Sequence, residues 1–439
     1  MTISPARRAA FEILRRVEEE RAYAAVLLAS LDAGIREDDR ALCHELVLGA
    51  LRNQLWLDHA IGHFAQRKIE KIDLPVKIAL RLALYQLRFL SRIPASAAVN
   101  ESVNLVRVAG LKSAASFANA VLRRASRESD YDPALDARDE AEKISIETSH
   151  PRWLIDRWTE AIGRNEAAEL AHANNRPPPL AFRFTAKSIG SEIELLNELR
   201  DGGALVTPSS IAPHAWRLSR VNESVRRLLL DGRIYFQDEA SQLIAHLLYA
   251  EAGHCVLDVC AAPGSKATQL AAIAPETKIV AGDLYEHRAR TMNELADRQG
   301  AALSVLACDA SGSLPFPPVR FDRVLVDAPC SGTGTLRHNP EIRWQLTPPD
   351  LRELADKQRR ILLNAAALVK PRGRLVYSTC SLEPEENEAV VNAFLGDQPD
   401  FEARPIEEFR GLLTLDGTIR TWPHRDDTDG FFVAAFSRK

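Results

Sequence analysis

The chain is 439 residues long, which exceeds what one ordinary hydrophobic core supports, so two or three domains are expected. Charged residues make up 26% of it, and no apolar run approaches the ~20 residues that cross a bilayer, which argues against a membrane-spanning protein. The net charge of −4 argues against a wholly basic nucleic-acid binder, but residues 1–130 carry +5 and the remainder −9, which permits an anionic partner at the front end.

The amino-terminal residues are charged and amphipathic and contain no apolar segment typical of a secretory signal, so we expect a cytoplasmic protein. The cysteines are too sparse for a disulfide framework, which fits that compartment. They are Cys43, Cys255, Cys260, Cys308, Cys330 and Cys380. Because no C-x-x-C pair or histidine cluster occurs at ligand spacing, no zinc site or other metal site is expected.

From residue 5 to about 125, apolar residues recur at intervals of three and four, which predicts an all-helical domain over residues 1–128. Examples are Phe11, Leu14, Val17, Leu46, Leu51, Leu55, Ile78, Leu82, Tyr85 and Leu90. Pro75 and Pro94 fall where helices should begin or end, and Asp38 with Asp39 gives a helix-start signal. The charged stretch 126–143 has few large apolar groups and is interpreted as a linker.

The sequence pattern of the middle of the chain, residues 144–231, indicates its fold less clearly. An amphipathic helix runs through Trp153, Ile155 and Trp158, and strand-like pieces follow the break at RPPPLAFRF. This combination predicts a small α+β domain, which we expect to contact RNA.

From about residue 232 to residue 439 the pattern changes to strand and helix in alternation. The predicted strands are VLDVCAA, KIVAGDL, LSVLACDA, FDRVLVDAP and RLVYSTC, with FFVAAFS as a late antiparallel strand. Helix candidates separate them, which predicts a mostly parallel, doubly wound α/β sheet of the Rossmann-like type with helices on both faces. The chain as a whole is therefore expected to be multidomain.

Two cysteines end predicted strands of this sheet, Cys330 in VDAPCSGTG and Cys380 in LVYSTCSLEPEENE. Because α/β sheets place ligands outside the carboxyl ends of their strands, both thiols should emerge at one edge, where they could carry covalent chemistry. The alternative is a pair of buried structural cysteines, since free cysteine is often buried.

A glycine-containing turn, CAAPGSK, follows the first strand and opens a helix, where backbone N–H groups can meet a nucleotide-like cofactor. Neither the phosphate-binding loop nor the dinucleotide motif occurs, so S-adenosyl-L-methionine fits better than NAD. Asp283 could accept hydrogen bonds from ribose hydroxyls and Asp309 could orient the adenine edge. Each could instead cap the next helix.

The three motifs CAAPGSK, DAPCSGTGTLRHNPEIRW and YSTCSLEPEENE resemble, in order and spacing, those of the RNA (cytosine-5)-methyltransferases. The helical front, with ELVLGALRNQLWLDHAI and FANAVLRR, resembles the NusB-like RNA-binding domain. Together they are similar to the bacterial ribosomal RNA methyltransferases of this family. The resemblance covers nearly the whole chain, and it implies methylation of carbon 5 of a specific cytidine in 16S ribosomal RNA, with S-adenosyl-L-methionine as cofactor.

The resemblance also implies residue roles. Cys380 is the nucleophile that adds to carbon 6 of cytosine, Cys330 assists the later elimination, and Asp327 holds the base at nitrogen 3 and the amino group. A reader holding only the Pro-Cys dipeptide of the DNA enzymes would instead choose Cys330. Cofactor contacts are expected from Cys260, Ala261, Ala262, Pro263, Gly264, Ser265, Lys266, Asp283, Asp309 and Asp327.

Two positions of the cofactor turn need comment. Ser265 stands where the family often has a second glycine, and its side chain could crowd the methionine moiety of the cofactor. Lys266 could be a cofactor contact or only a cation near a helix start, although the helix dipole disfavours a cation there.

Small-subunit ribosomal RNA is the expected partner, bound by a monomer without a membrane or a metal. The target base should be single-stranded or flipped out of a stack. Candidate RNA contacts are Arg7, Arg8, Arg123, Arg124, Arg337, His338 and Arg343. Two other functions stay open: the same chemistry on tRNA or another RNA, and a NusB-like RNA-binding or antitermination scaffold with an inactive methyltransferase fold.

Overall fold

The computed structural model describes residues 3–31 and 35–439. The chain forms two compact units, one within residues 1–176 together with 336–345 and the other within residues 177–335 together with 346–439. Residues 1–2 and 32–34 of the predicted helical domain lie outside the described residues. Within the described ranges, no helix combines the length and apolar character that crossing a bilayer requires. The domain boundaries expected at residues 128, 144 and 231 stay predictions.

Helices occur along the whole chain. In chain order they are α1 (Pro5–Glu20), α2 (Ala24–Ala29), α3 (Glu37–Arg52), α4 (Gln54–Ala65), α5 (Leu74–Phe89), α6 (Ala95–Val108), α7 (Ala115–Arg127), α8 (Glu140–Thr148), α9 (Arg152–Ile162), α10 (Arg164–Ala173), α11 (Glu192–Asp201), α12 (Glu223–Leu230), α13 (Glu239–Leu247), α14 (Ser265–Ile273), α15 (Glu286–Gln299), α16 (Ile342–Gln345), α17 (Pro348–Ala366) and α18 (Glu388–Asp397).

The first unit is helical, as predicted, because each long helix buries one apolar stripe. Phe11, Leu14 and Val17 of α1 are buried in the same core as Ile78 and Leu82 of α5. Proline marks helix starts as expected, since it lacks the N–H that would remain unbonded there. It lies in the first turn of α5 and immediately before α6.

The predicted linker at residues 126–143 is instead part of the helical unit. It holds the end of α7, a turn of 3₁₀ helix at Pro133–Asp136 and the start of α8. The Asp132 carboxylate accepts hydrogen bonds from the backbone N–H of Ala134 at 3.1 Å and from the Trp56 indole at 3.0 Å. Polar side chains therefore hold this segment in place between α7 and α8, where apolar residues are few.

The second unit contains the strands. They are β1 (Leu180–Phe184), β2 (Val206–Pro208), β3 (Ala215–Leu218), β4 (Ile234–Phe236), β5 (Cys255–Asp258), β6 (Lys278–Asp283), β7 (Leu303–Ala307), β8 (Phe321–Asp327), β9 (Val369–Thr379), β10 (Phe401–Ala403), β11 (Ile419–Arg420) and β12 (Phe432–Arg438). The first four form an antiparallel sheet in the order β2-β3-β1-β4. Phe182 of β1 and Leu199 of α11 lie in one apolar cluster, so the predicted small α+β fold is confirmed.

The larger sheet has the order β10-β12-β9-β8-β5-β6-β7, with β11 paired to β12. The strands from β9 to β7 are parallel, and β12 pairs antiparallel with β9, as predicted. Alternate side chains of β8 enter two different cores: Leu325 joins one, and Val324 with Val326 joins the other. The sheet is therefore covered on both faces, which leaves the carboxyl ends of its parallel strands as the place for a site.

Candidate active site

The two predicted thiols lie together at the carboxyl ends of neighbouring strands. β8 and β9 are parallel, with Asp327 paired to Ser378 at their ends, so the loops that follow leave the sheet side by side. The Sγ atoms of Cys330 and Cys380 are 3.3 Å apart, and both residues are partly buried. The expectation that both thiols emerge at one sheet edge is confirmed.

The surroundings of Cys330 disfavour its ionised form. The hydrogen bond with Cys380, burial and the charges of Cys380 and Glu386 together raise the pKa of Cys330 well above its usual value. The pKa of Cys330 is therefore coupled to the second sulfur, which lies within contact distance.

Asp327, the last residue of β8, is fixed from two directions. Its Oδ2 accepts a hydrogen bond from Lys266 Nζ at 2.6 Å, and its Oδ1 accepts one from Ser378 Oγ at 2.7 Å. Burial alone would lower the pKa of Lys266, but the charge and hydrogen bond of Asp327 outweigh it and raise that pKa. Lys266 thus places a positive charge against the candidate catalytic residue Asp327.

Asp258, the last residue of β5, was not singled out from the sequence. It is fully buried, and neither carboxylate oxygen accepts a hydrogen bond of good geometry among the described residues, although the backbone N–H of Cys260 is near enough to lower its pKa. Burial, followed by the charge of Asp327, raises its pKa to about 7, although Lys266 opposes the shift. A buried carboxylate without donors is costly, and such groups commonly mark the place of a ligand that is not in the protein chain.

The turn between β5 and α14 has the backbone shape that a close ligand requires. Ala262–Pro263 is a cis peptide bond, and Gly264 has a φ of +104° in the left-handed region that favours glycine. A Cβ on Gly264 would meet Met292 Cγ at 3.3 Å. The N–H of Ala262 donates to Asp283 Oδ2 at 3.2 Å, so the structure brings the end of β6 against the turn.

Two other predicted cofactor contacts have local bonds of their own. Asp309 is exposed, and its Oδ1 accepts hydrogen bonds from Ser311 N at 2.9 Å and Ser311 Oγ at 2.7 Å, a local turn that lowers its pKa. The carbonyl oxygen of Ser265, the first residue of α14, accepts a hydrogen bond from Arg183 at 2.8 Å. Ser265 is thus held by its backbone at the start of the helix.

Arg183 is a second residue that sequence reasoning missed. It lies on β1 of the small sheet and is almost fully buried, and it also donates to Thr268 Oγ1 at 2.9 Å and Gln237 Oε1 at 2.8 Å. It therefore joins the small sheet to the first turn of α14. A lone arginine in a short strand carries no sequence signal for such a role.

The structure corrects part of the RNA-contact prediction, because three of the arginines are buried in the helical unit. Arg7 is 6% exposed and pairs with Glu101 at 3.1 Å; Arg337 is 2% exposed. Arg343 is fully buried and donates to Ser149 O at 3.1 Å and to Asn175 Oδ1 at 3.0 Å. Buried guanidinium groups with protein acceptors cannot lie against a phosphate backbone.

The other candidate RNA contacts remain accessible to different extents. Arg8 and Arg123 are exposed, and His338 is half-buried. Arg124 is half-buried and donates to Glu128 at 2.7 Å, so it already has an anionic partner. Exposure keeps a role for Arg8 and Arg123 in RNA binding as a prediction.

Family models match three successive parts of the chain. Residues 245–437 match the model described as 16S rRNA methyltransferase RsmB/F, residues 4–127 match the NusB family, and residues 150–223 match the ferredoxin-like domain of RsmF/B-like methyltransferases. In chain order, the matched parts are the helical front, the small α+β domain and the α/β domain with the large sheet.

Relatives of similar length match over almost the whole chain. The probable ribosomal RNA small subunit methyltransferase B of Bacillus subtilis strain 168 is 35% identical, with 98% of both chains covered. The ribosomal RNA small subunit methyltransferase B of Sodalis glossinidius is 34% identical, covering 93% of this chain and 92% of its own. The crystal structure of PH0851 aligns with a TM-score of 0.85 and 27% identity over the full length of both chains.

Proposed function

Because this chain belongs to the RsmB/F family of 16S ribosomal RNA methyltransferases, we propose that it methylates carbon 5 of a cytidine in small-subunit ribosomal RNA through a covalent adduct with Cys380. As a family member it is a methyltransferase that depends on S-adenosyl-L-methionine. The carbon-5 chemistry, the residue roles and the identity of the RNA are the proposal.

The observation that carries the proposal is the pair of thiols, with Sγ atoms 3.3 Å apart, next to Asp327. Carbon 5 of cytosine is a weak nucleophile, whereas an exocyclic nitrogen can attack a methyl donor directly and needs no thiol. Addition of a thiolate to carbon 6 makes carbon 5 nucleophilic, which is covalent catalysis. Two sulfurs in one site are therefore expected of carbon-5 methylation and have no use in amino methylation.

The residues divide the work as follows. Cys380 bonds to carbon 6. Asp327, held by Lys266 and Ser378, accepts a hydrogen bond from the amino group of the base and, once nitrogen 3 is protonated in the adduct, from nitrogen 3. After methyl transfer the carbon 5 proton is removed and Cys380 leaves by elimination. Bonding of Cys380 to carbon 6 removes one of the charges that raise the pKa of Cys330. Cys330 assists the last step as a thiolate: it accepts the carbon 5 proton, the C5–H electrons form the C5–C6 double bond, and the C6–S bond breaks to release Cys380 as a thiolate.

The cofactor-binding residues that we propose fit S-adenosyl-L-methionine. The unpartnered carboxylate of Asp258 suits the ammonium group of the methionine moiety, and Asp283 suits the ribose hydroxyls. The turn from Cys260 to Lys266 supplies the close backbone approach, while Asp309 and Asp327 complete the set at the ends of β7 and β8. When bound, the cofactor supplies the electrophilic methyl group.

The target cytidine has to be in a single-stranded segment or flipped out of a stack, because no side chain can reach carbon 6 of a stacked base. The helical unit, which matches the NusB family, and the exposed Arg8 and Arg123 are the proposed RNA-binding part. We further propose that the enzyme works as a monomer in the cytoplasm, without a metal.

The test is methyl transfer from labelled cofactor to in vitro transcribed 16S ribosomal RNA, with mapping of the product base. Cys380→Ala should abolish turnover, because no sulfur remains to activate the ring. Cys330→Ala should accumulate a denaturation-resistant protein–RNA adduct, because elimination is impaired. If the adduct instead forms with Cys380→Ala and is absent with Cys330→Ala, the two roles are reversed. Methylation at undiminished rate in the double variant would refute the proposal.

A further inference from the structure

Glu386 lies in the turn between β9 and α18 and is completely buried. Its Oε1 accepts hydrogen bonds from Ser331 N and Gln358 Nε2, both at 2.8 Å. Its Oε2 accepts hydrogen bonds from the hydroxyl groups of Ser331 and Ser381. All four donors are uncharged, so this carboxylate is stabilised by directed hydrogen bonds in place of a counter-ion.

These donors stand directly beside the two thiols. Ser331 follows Cys330, and Ser381 follows Cys380. One carboxylate therefore binds the residue that comes directly after each thiol. The two serine hydroxyl oxygens are themselves 3.0 Å apart. A single side chain thus sets the separation of the loops within one residue of each sulfur.

The carboxylate is in turn held from the helix and strand behind it. Gln358 of α17 also donates to the carbonyl oxygen of Pro329 at 3.1 Å. The Tyr377 hydroxyl lies 3.1 Å from Gln358 Oε1 and 2.6 Å from the backbone oxygen of Glu386. Because α17 and β9 are regular elements, the network transfers their rigidity to the loops.

We propose that Glu386 is a positioning residue: by accepting hydrogen bonds from Ser331 and Ser381 it holds the Cys330 and Cys380 loops together so that both thiols can act on one base. The assignment rests on the proposed function for its catalytic consequence, but the spacing of the thiols is measurable without RNA or cofactor. No step of the chemistry passes through Glu386 itself.

The spacing is measured by equilibrating the full-length protein with oxidised and reduced glutathione. The Cys330 and Cys380 thiols give two electrons and two protons to oxidised glutathione, and one protein disulfide and two reduced glutathione molecules result. Mapping by mass spectrometry assigns the bond to these two cysteines. The equilibrium constant reports how closely the loops hold the two sulfurs.

Glu386→Ala should lower this equilibrium constant about tenfold or more, since the loops lose their common acceptor. It should also lower kcat of methyl transfer about a hundredfold with little change in KM for RNA. Glu386→Gln should keep most of both quantities, because the amide oxygen still accepts from Ser331 N and Gln358, and the serine hydroxyls can turn to accept from the amide nitrogen.

Glu388→Gln is the matched control, since Glu388 lies two residues away, pairs with Arg420 at 2.6 Å and makes no hydrogen bond to Ser331 or Ser381 among the described residues. If Glu386→Ala does not fold, as judged by thermal unfolding, the double variant Ser331→Ala with Ser381→Ala removes the same hydroxyl bonds at nearly constant volume and should give the same losses. An unchanged disulfide equilibrium in these variants overturns the assignment. So does a Glu386→Gln variant as impaired as Glu386→Ala, because charge would then matter and geometry would not.

If the disulfide equilibrium shifts as expected while wild-type protein forms no methylated cytosine, the positioning role stands and the proposed function fails.

Discussion

The carboxylates in two parts of the candidate site differ in their hydrogen bonding. In the cysteine-loop region, residues 327–334 and 377–387, Glu386 accepts four hydrogen bonds and Asp327 accepts two, all from the protein. In the cofactor-turn region, residues 258–265, Asp258 is fully buried and accepts no hydrogen bond of good geometry from the described residues. The carboxylates of the first region have their hydrogen bonds within the folded chain, and Asp258 of the second region does not.

The difference separates the groups that perform the proposed chemistry from those that receive a ligand. Groups that act on a base have to be oriented before it arrives, since reorientation during the reaction costs rate. A carboxylate that binds a cationic ligand gains its counter-charge only when that ligand binds. Until then burial raises its pKa, as it does for Asp258. Substitutions in the first region should therefore affect kcat, and those in the second should affect cofactor affinity.

The largest expected effect is on Asp327 of the cysteine-loop region, which Lys266 holds from the start of α14. Lys266→Met removes the cation that holds Asp327, so kcat of methyl transfer should fall about 10²- to 10³-fold while KM for RNA changes little. Lys278→Met, at an exposed position in the same sheet, is the control and should keep wild-type rates. Equal losses in kcat and RNA affinity would show that Lys266 contributes to binding and would remove the contrast between the regions.

A smaller effect is expected in the cofactor-turn region, and it depends on pH. The pKa of Asp258 is about 7, so the ligand-free protein binds a proton there below that pH, whereas an ammonium ligand requires the ionised form. Affinity for S-adenosylhomocysteine, measured by calorimetry, should be constant above pH 7 and fall about tenfold per unit below it. Asp258→Asn should bind more weakly at pH 8 and lose this pH dependence. The same pH profile in both proteins would assign the titration to another group.

The smallest effect is expected for RNA binding by the helical unit. Arg123→Ala should reduce the slope of log affinity against log salt by about 1 if this exposed residue contacts a phosphate. Arg343→Ala should leave that slope unchanged, because its guanidinium is buried against protein acceptors. A lower slope for a folded Arg343→Ala protein would restore the original prediction for that residue.

The sequence predicted the parts that depend on local pattern. Apolar alternation located the strands of the large sheet, and because parallel strands end at one edge, the meeting of Cys330 and Cys380 followed from that pattern. The burial of Arg343 could not be predicted in this way, because it depends on which unit residues 336–345 join. An arginine near a catalytic motif is readily interpreted as an RNA contact, and only its hydrogen-bond acceptors in the folded chain show otherwise.

The roles of Asp258 and Glu386 were missed for a related reason. Asp258 ends a strand just as Asp283 does, so a signal was present, but its lack of partners becomes evident only in the folded chain. Glu386 is one of several acidic residues in PEENE, and no local pattern separates the buried one from its neighbours. Tertiary contacts determine which carboxylate is satisfied and which is not.

The most direct test of the central claim uses 16S ribosomal RNA that carries 5-fluorocytidine. Fluorine replaces the hydrogen at carbon 5 and cannot be removed as a cation, so elimination is blocked after methyl transfer and the enzyme should stay bonded to carbon 6. We predict a denaturation-resistant complex that requires S-adenosyl-L-methionine, with the RNA attached to the tryptic peptide that contains Cys380. Attachment at Cys330, or full methylation of unmodified RNA without any trapped complex on the fluorinated one, would contradict the account.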